Sequence, residues 1–393
     1  MDISALQQKH KALFNSKETV IVRSPGRINL IGEHTDYNDG FVFPAAIDKA
    51  VWFVASKNNK QRFRFYSFDF DESFELPVNK LSISDVAWAN YLLGVAAQFK
   101  KRGHEVNGVD VVFGGNIPVG AGLSSSAAVE NGFALVLNRL FDFGESRLEM
   151  VKMAQKAEHE YAGVMCGIMD QFASMFGKEK QAIKLDCRTL DFDYANIDLD
   201  GYRIVLCDTK VKHSLASSAY NKRREECTAG VDILKKYDPA INALRDADVE
   251  LLDKHKEEMG LTVYRRCKFV IEENNRVTEA FEALHQNNIP KLGKLMFETH
   301  RGLRDDYEVS CKELDILFDF ARNFNGVTGA RMMGGGFGGC TVNIVKEERV
   351  EPFKKQITEH YRHATGIDPV IYEVAIMNGT SVEPAAITGL DYF

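Results

Sequence analysis

What this 393-residue sequence lacks excludes several classes of protein at once. Its seven cysteines stand far apart, at positions 166, 187, 207, 227, 267, 311 and 340, with no CxxC pair. An odd, scattered set argues against a disulfide framework and against a structural zinc site, and reads as buried or inert thiols in a reducing cytoplasm. No stretch approaches the roughly 20 apolar residues of a membrane helix. The opening MDISALQQKHKALFNSKE is polar, so no secretory signal is expected. GxxxxGK followed by Ser or Thr occurs nowhere, which excludes a P-loop. Net charge is −7, from 49 basic and 56 acidic residues, and offers no basic field to nucleic acid or anionic lipid. The short basic runs Arg223-Arg224 and Arg265-Arg266 fall in charged helical stretches and read as solvated faces.

What is present looks ordinary in bulk, with 45% hydrophobic and 27% charged residues, as in a folded globular chain. Strand-like and helix-like runs alternate without an internal repeat. Strands are expected over 20–23, 51–55, 63–68, 109–113, 204–209 and 340–345. Helices are expected after residue 124 (buried nearly all round) and over 145–162, 215–235, 262–286 and 311–324. A polar, Asp-rich stretch over 186–200 precedes the second unit. The pattern is α+β in two lobes, residues 1–195 and 196–393.

The 30 glycines are unevenly placed, with four in 114–122 and seven in 326–339. In the first group a strand runs into PVGAGLSSSA and then a buried helix. Such a turn exposes unpaired backbone N–H groups at the positive end of the helix dipole. Gly120 and Gly122 allow close approach of an anion, and Ser124, Ser125 and Ser126 add hydroxyls, the last able to turn toward a metal. One serine would suffice as an N-cap, so a polyphosphate cradle is the stronger reading. In the second group Gly334, Gly336 and Gly339 formally satisfy GxGxxG. A strand rather than a helix follows, so a dinucleotide fold is excluded. A tight hairpin is expected there, close to a ligand or to the first loop.

A third constellation lies near the N-terminus, where Arg27, Glu33, His34 and Asp36 fall within ten positions, separated by apolar residues and glycines. Glu33 and Asp36 supply acceptors for neutral hydroxyls, and His34 can donate or accept. That is sugar or polyol chemistry. Arg27 is permanently charged and suited to a transferring phosphoryl group.

At this point the sequence resembles a family. GRINLIGEHTDYNDG at 26–40 is similar to the galactokinase signature, PVGAGLSSSA at 118–127 to the ATP-binding motif of the wider GHMP kinases, and MGGGFGGC at 333–340 to their third motif. WANYLLGV, CGIMDQF, AYNKRREEC and SCKELDIL agree with galactokinases in the expected order, with Lys312 where relatives often have proline. The resemblance implies a two-lobed GHMP fold of mixed sheets and helices, with its site in the cleft between the lobes. It implies ATP-dependent phosphorylation of galactose at O1, the first committed step of galactose use. Asp170 would take or orient the anomeric proton, with Arg27 beside it. Galactose would be held by Glu33, His34, Thr35, Asp36, Gly167, Asp170 and Tyr220. ATP would sit on Gly120, Ala121, Gly122, Leu123, Ser124, Ser125 and Ser126, near Ser67 and Trp88, with Mg²⁺ on Ser126 and Glu158.

The expected protein is a cytoplasmic monomer without nucleic-acid or membrane partners. Two alternatives stay open: a GHMP kinase for another sugar, such as N-acetylgalactosamine or arabinose, and a non-catalytic galactose and ATP sensor. The tail over 383–393 carries no readable motif.

Overall fold

A computed structural model describes residues 2–16, 19–118, 120–212 and 216–384. Among these, six strands form one sheet in the order β13-β1-β3-β6-β4-β5. They are β1 (Val20–Asn29), β3 (Pro44–Lys57), β4 (Arg62–Ser67), β5 (Glu72–Pro77), β6 (Val109–Gly115) and β13 (Ser381–Glu383). Only β4 and β6 pair in parallel. A second sheet, β10-β11-β9-β12, comprises β9 (Tyr202–Lys212), β10 (Val327–Met332), β11 (Gly338–Lys346) and β12 (Val370–Val374). A third, smaller one joins β2 (Phe41–Val42), β7 (Gln181–Asp186) and β8 (Phe192–Asn196). The helices are α1 (Ile3–Phe14), α2 (Ala87–Lys101), α3 (Ser125–Phe141), α4 (Arg147–Ala157), α5 (Met169–Phe176), α6 (Ala216–Leu234), α7 (Val249–Lys254), α8 (Lys256–His285), α9 (Ile289–Asp305), α10 (Lys312–Asn323) and α11 (Val350–Thr365).

The expected strands and helices are found, mostly longer or shifted by a few residues. Leu215, expected to open α6, lies outside the described residues, as do 385–393 of the tail. The Asp-rich stretch contains β8, whose alternating Phe192, Tyr194 and Asn196 pair with β7. The run expected as one helix over 145–162 is α4, capped by Ser146 accepting from the Glu149 N–H, followed by a wider π-turn at Glu158–Ala162 that ends on left-handed Gly163. The solvated-face reading of the basic runs fails at two positions. Arg223 and Arg266 are buried between helices, where Arg223 Nε donates to the Tyr307 carbonyl and Arg266 reaches Glu226 and Glu308. Ion pairing across packed helices, invisible in a linear charge run, removes both from water.

Three local features position the site. In β1 the Pro25-Gly26 step breaks the ladder register with β3, and a Cβ on Gly26 would stand 2.5 Å from the Leu123 carbonyl. This bulge brings Arg27 up against the first glycine loop. α3 is buried on most faces, as expected, and Gly132 lets it lie on Phe53, whose ring would be 2.2 Å from an added Cβ. β10 and β11 form the expected hairpin over residues 333–337. The main apolar core runs continuously from Val22, Phe53 and Phe133 to Leu206, Val277 and Val342, so both halves of the chain contribute to it.

Candidate active site

A cavity of about 200 Å³ opens where β1, the π-turn, the start of α5, α6 and the β10–β11 hairpin meet. This is below the roughly 300–1,000 Å³ of sites for drug-sized ligands and suits one small molecule. Arg27, Glu33, His34, Asp36, Glu158, Gly167, Asp170 and Tyr220 all line it, although they span nearly 200 positions of sequence.

On its floor Arg27 grips Asp170 in a bidentate pair, Nε to Oδ1 at 2.8 Å and Nη2 to Oδ2 at 3.0 Å, while Nη1 donates to the Gly122 carbonyl at 2.6 Å. The Ser124 hydroxyl also donates to Asp170. Ser124 sits at the N-cap position of α3 in the left-handed region without capping it, so its side chain is free to reach Asp170. The loop before it turns at Gly120 and Gly122, both with positive φ. Ala121 and Leu123 bury their side chains in the core. Little side chain therefore stands on the loop's outer face, where Gly120 is exposed and Gly122 half-buried. The second glycine-rich loop closes on the first, as expected: a Cβ on Gly339 would lie 3.6 Å from the Ala121 carbonyl, and one on Gly122 3.5 Å from that of Met333.

The opposite wall is acidic and aromatic. Glu33 is buried, and its Oε1 accepts from Arg331 Nη2 and the Gly334 N–H, both at 2.7 Å. Burial, then the charges of Asp170 and Glu33, push Asp36 up to about 7. A Cβ on Gly167 would lie 1.8 Å from Asp36 Oδ2, so only glycine fits there. Burial, then the charges of Arg223 and Arg331, push His34 down to about 3, leaving a neutral imidazole. Tyr220 packs 5.5 Å from the His34 ring.

Behind Asp170 lies a buried carboxylate cluster. Glu158 begins the π-turn and contacts the Ser126 hydroxyl, and burial followed by the Asp170 charge raises its pKa. Gln171 Nε2 bridges Glu158 at 2.7 Å and the fully buried Glu130 at 3.1 Å. Hard oxygen donors crowded beside a serine hydroxyl are the chemistry a divalent cation relieves. Among the described residues, no group of three or more His, Cys, Asp or Glu could hold a metal by itself.

Three expected site residues stand apart. The Thr35 hydroxyl is turned to the backbone carbonyls of Gly32 and Phe41. Ser67 and Trp88 lie outside the cavity, beside the end of β6. The Ser67 hydroxyl is buried without a partner, and Trp88 Nε1 donates to Glu72 at 2.6 Å. Residue-by-residue reading missed Arg331, Gln171, Glu130, Tyr37 and Tyr307. Gln171 and Tyr37 were inside the motif strings, whereas nothing local marks Tyr307.

Similarity to known proteins runs the length of this arrangement. The GHMP kinases N-terminal domain matches residues 90–178 and the GHMP kinases C-terminal region residues 280–363. The mevalonate kinase of Methanococcus jannaschii shares the fold at a TM-score of 0.65 and 19% identity, over 92% of this chain and 99% of that one. The fold is thus that of a GHMP kinase. Within that class the galactokinase galactose-binding signature matches residues 8–57. A galactokinase of Thermotoga maritima is 43% identical over 91% of this chain and 98% of its own length. The crystal structure of Lactococcus lactis galactokinase complexed with galactose superposes at a TM-score of 0.93, with 37% identity, covering 96% of this chain and 99% of that one. The chain belongs to the galactokinase family, and membership of a kinase family makes ATP its substrate.

Proposed function

We propose that the protein transfers the γ-phosphoryl group of ATP to the anomeric O1 of galactose, giving galactose 1-phosphate and ADP. The observation that carries this reading is the Arg27–Asp170 pair, held between the glycine loop on one side and Glu33, His34 and Asp36 on the other.

Galactose occupies the cavity, its hydroxyls meeting Glu33, His34, Asp36, the Gly167 backbone and Tyr220. Thr35 serves by holding the loop that carries its neighbours. Asp170 already accepts three hydrogen bonds, leaving about one of its four lone-pair sites for the O1 hydroxyl. It thereby aims O1 at the γ-phosphorus. The O1–P bond forms as the bond to the β-phosphate oxygen breaks in line, ADP leaves with that electron pair, and the O1 proton passes toward Asp170. A loose transition state needs little activation of the nucleophile, so positioning and charge stabilisation dominate, the latter supplied by Arg27 and the N–H groups of residues 120–126. Ser67 and Trp88 lie toward the nucleoside. Ser126 and Glu158 would hold Mg²⁺, whose chemistry when bound is to neutralise the phosphate oxygens.

The same reading divides the chain near residue 195, supported by β8 ending at Asn196 before the β9 sheet begins at Tyr202. It places a monomer in the cytoplasm, without nucleic-acid or membrane partners. No described helix is long and apolar enough to cross a membrane.

The test is product identity. Purified protein with galactose and Mg-ATP should yield galactose 1-phosphate and ADP in equal amounts. Much faster turnover of N-acetylgalactosamine or arabinose would overturn galactose as substrate, and binding without ADP formation would indicate a sensor.

A further inference from the structure

Behind His34 runs a chain of buried hydrogen-bonding groups. His34 Nδ1 lies 2.7 Å from the Tyr37 hydroxyl, which lies 2.8 Å from the Tyr307 hydroxyl, which lies 3.2 Å from the Cys227 sulfur. Tyr307 and Cys227 are almost wholly buried. On the cavity side, His34 Nε2 is buried without a well-formed hydrogen bond, and the imidazole faces the Gly335 backbone carbonyl.

Each member of the chain holds one proton at neutral pH. Burial keeps both phenols protonated and pushes the Cys227 thiol up to about 11. Three links can each carry one proton only if all point the same way. Were they to run outward from His34, the sulfur would accept from Tyr307 and also from the amide of Asn38, whose Nδ2 is held beside it by donating to the His34 carbonyl at 2.8 Å. Sulfur is a weak acceptor, and two donors on it are unfavourable. Run inward, Asn38 donates to the sulfur, the thiol to Tyr307, Tyr307 to Tyr37, and Tyr37 to His34 Nδ1. The histidine proton then sits on Nε2, facing the cavity.

We infer that Tyr37, Tyr307 and Cys227 form a hydrogen-bond relay that fixes His34 as its Nε2–H tautomer, making it a hydrogen-bond donor to the sugar. Glu33 and Asp36 offer acceptors on the same wall, so the three together select a ligand whose oxygens both donate and accept. Tyr37, Tyr307 and Cys227 are positioning residues: they act through the histidine. The inference rests on the reading of this cavity as the sugar site.

Histidine-selective ¹⁵N labelling reads the tautomer directly, with His34→Gln assigning the resonances by their loss. The wild-type protein should show Nδ1 unprotonated and Nε2 protonated. Wild-type His34 protonated on Nδ1, or an even mixture, would overturn the relay. Tyr37→Phe and Tyr307→Phe should each convert the single tautomer to a mixture and raise the galactose KM about three- to tenfold, the span of one hydrogen bond, with kcat and the ATP KM unchanged. If those variants fail to fold, the far end of the chain decides. Cys227→Ala should scramble the tautomer and raise the galactose KM, whereas Cys227→Ser, which keeps a donor, should restore both. Equal behaviour of the two Cys227 variants would overturn the relay. A galactose KM unmoved in His34→Gln would overturn the sugar reading of His34 while the wild-type spectrum still decided the relay.

Discussion

Asp36 lines the cavity with a carboxyl displaced into the neutral pH range. Its carboxyl, pushed up to about 7 by burial and by Asp170 and Glu33, is close to half protonated at neutral pH before sugar enters. Sugar hydroxyls donating to it favour the ionised form, so binding releases a proton. Galactose KM should therefore fall as pH rises from 6 to 8, and the slope should vanish in Asp36→Asn; an identical slope in both proteins would remove Asp36 as its source. The same group acts on folding. Its raised pKa stabilises the folded state fully below 3.8, and that contribution is lost as pH rises through about 7. His34 acts in the opposite sense, stabilising above 6.5 and losing that contribution as pH falls toward about 3. At Gly167, alanine would drive a methyl into Asp36, so Gly167→Ala should raise the galactose KM at least tenfold while leaving ATP binding intact by titration calorimetry. Asp170→Asn should lose most turnover while keeping both affinities. Turnover within a few-fold of wild type would refute the role given to Asp170.

At the scale of elements, the loop before α3 does its work through backbone. Gly122 has a φ of +76°, and an added Cβ would meet the Met333 carbonyl at an ordinary contact distance of 3.5 Å, so the cost of alanine there is conformational rather than steric. A left-handed alanine costs about 1–2 kcal/mol, and the strain falls on the N–H groups assigned to phosphate. Gly122→Ala should raise the ATP KM several-fold in steady-state kinetics with the galactose KM unchanged; an equal rise in both would place the loop's role elsewhere. This element was legible in sequence because strand, paired glycines, serines and an apolar helix are a local pattern. The release of Ser124 from capping was not, since it depends on Asp170 arriving from α5. Nor was the π-turn that opens at Glu158: the residues 158–162 carry nothing that distinguishes them from the helix before them.

Across the whole molecule, Arg331 joins the two halves of the site. Fully buried on β10, it donates to the Asn29 and Leu30 carbonyls and to Glu33, so the hairpin of the third motif holds the acid of the first. Arg331→Met would leave Glu33 buried and unpaired, a loss of about 3–5 kcal/mol. Chemical denaturation should show that drop, and restoration by the double variant Arg331→Met, Glu33→Gln would assign it to the stranded charge. An unchanged midpoint in the single variant would mean that Glu33 finds another partner. The sequence by itself determined the fold class, the glycine and serine turn before α3 and the cluster of Arg27, Glu33, His34 and Asp36, because each rests on neighbours within about fifteen residues: helix period, glycine spacing, or interleaved acids and apolar residues. Only the tertiary structure decided which oxygen of Glu33 is free, that Thr35 faces the backbone, that Arg223 and Arg266 are buried, and that Tyr307 reaches His34. Apart from that of Thr35, those outcomes depend on hydrogen bonds and ion pairs between residues up to 301 positions apart. No local pattern encodes such pairings, because burial and partner choice are set only once the lobes have packed.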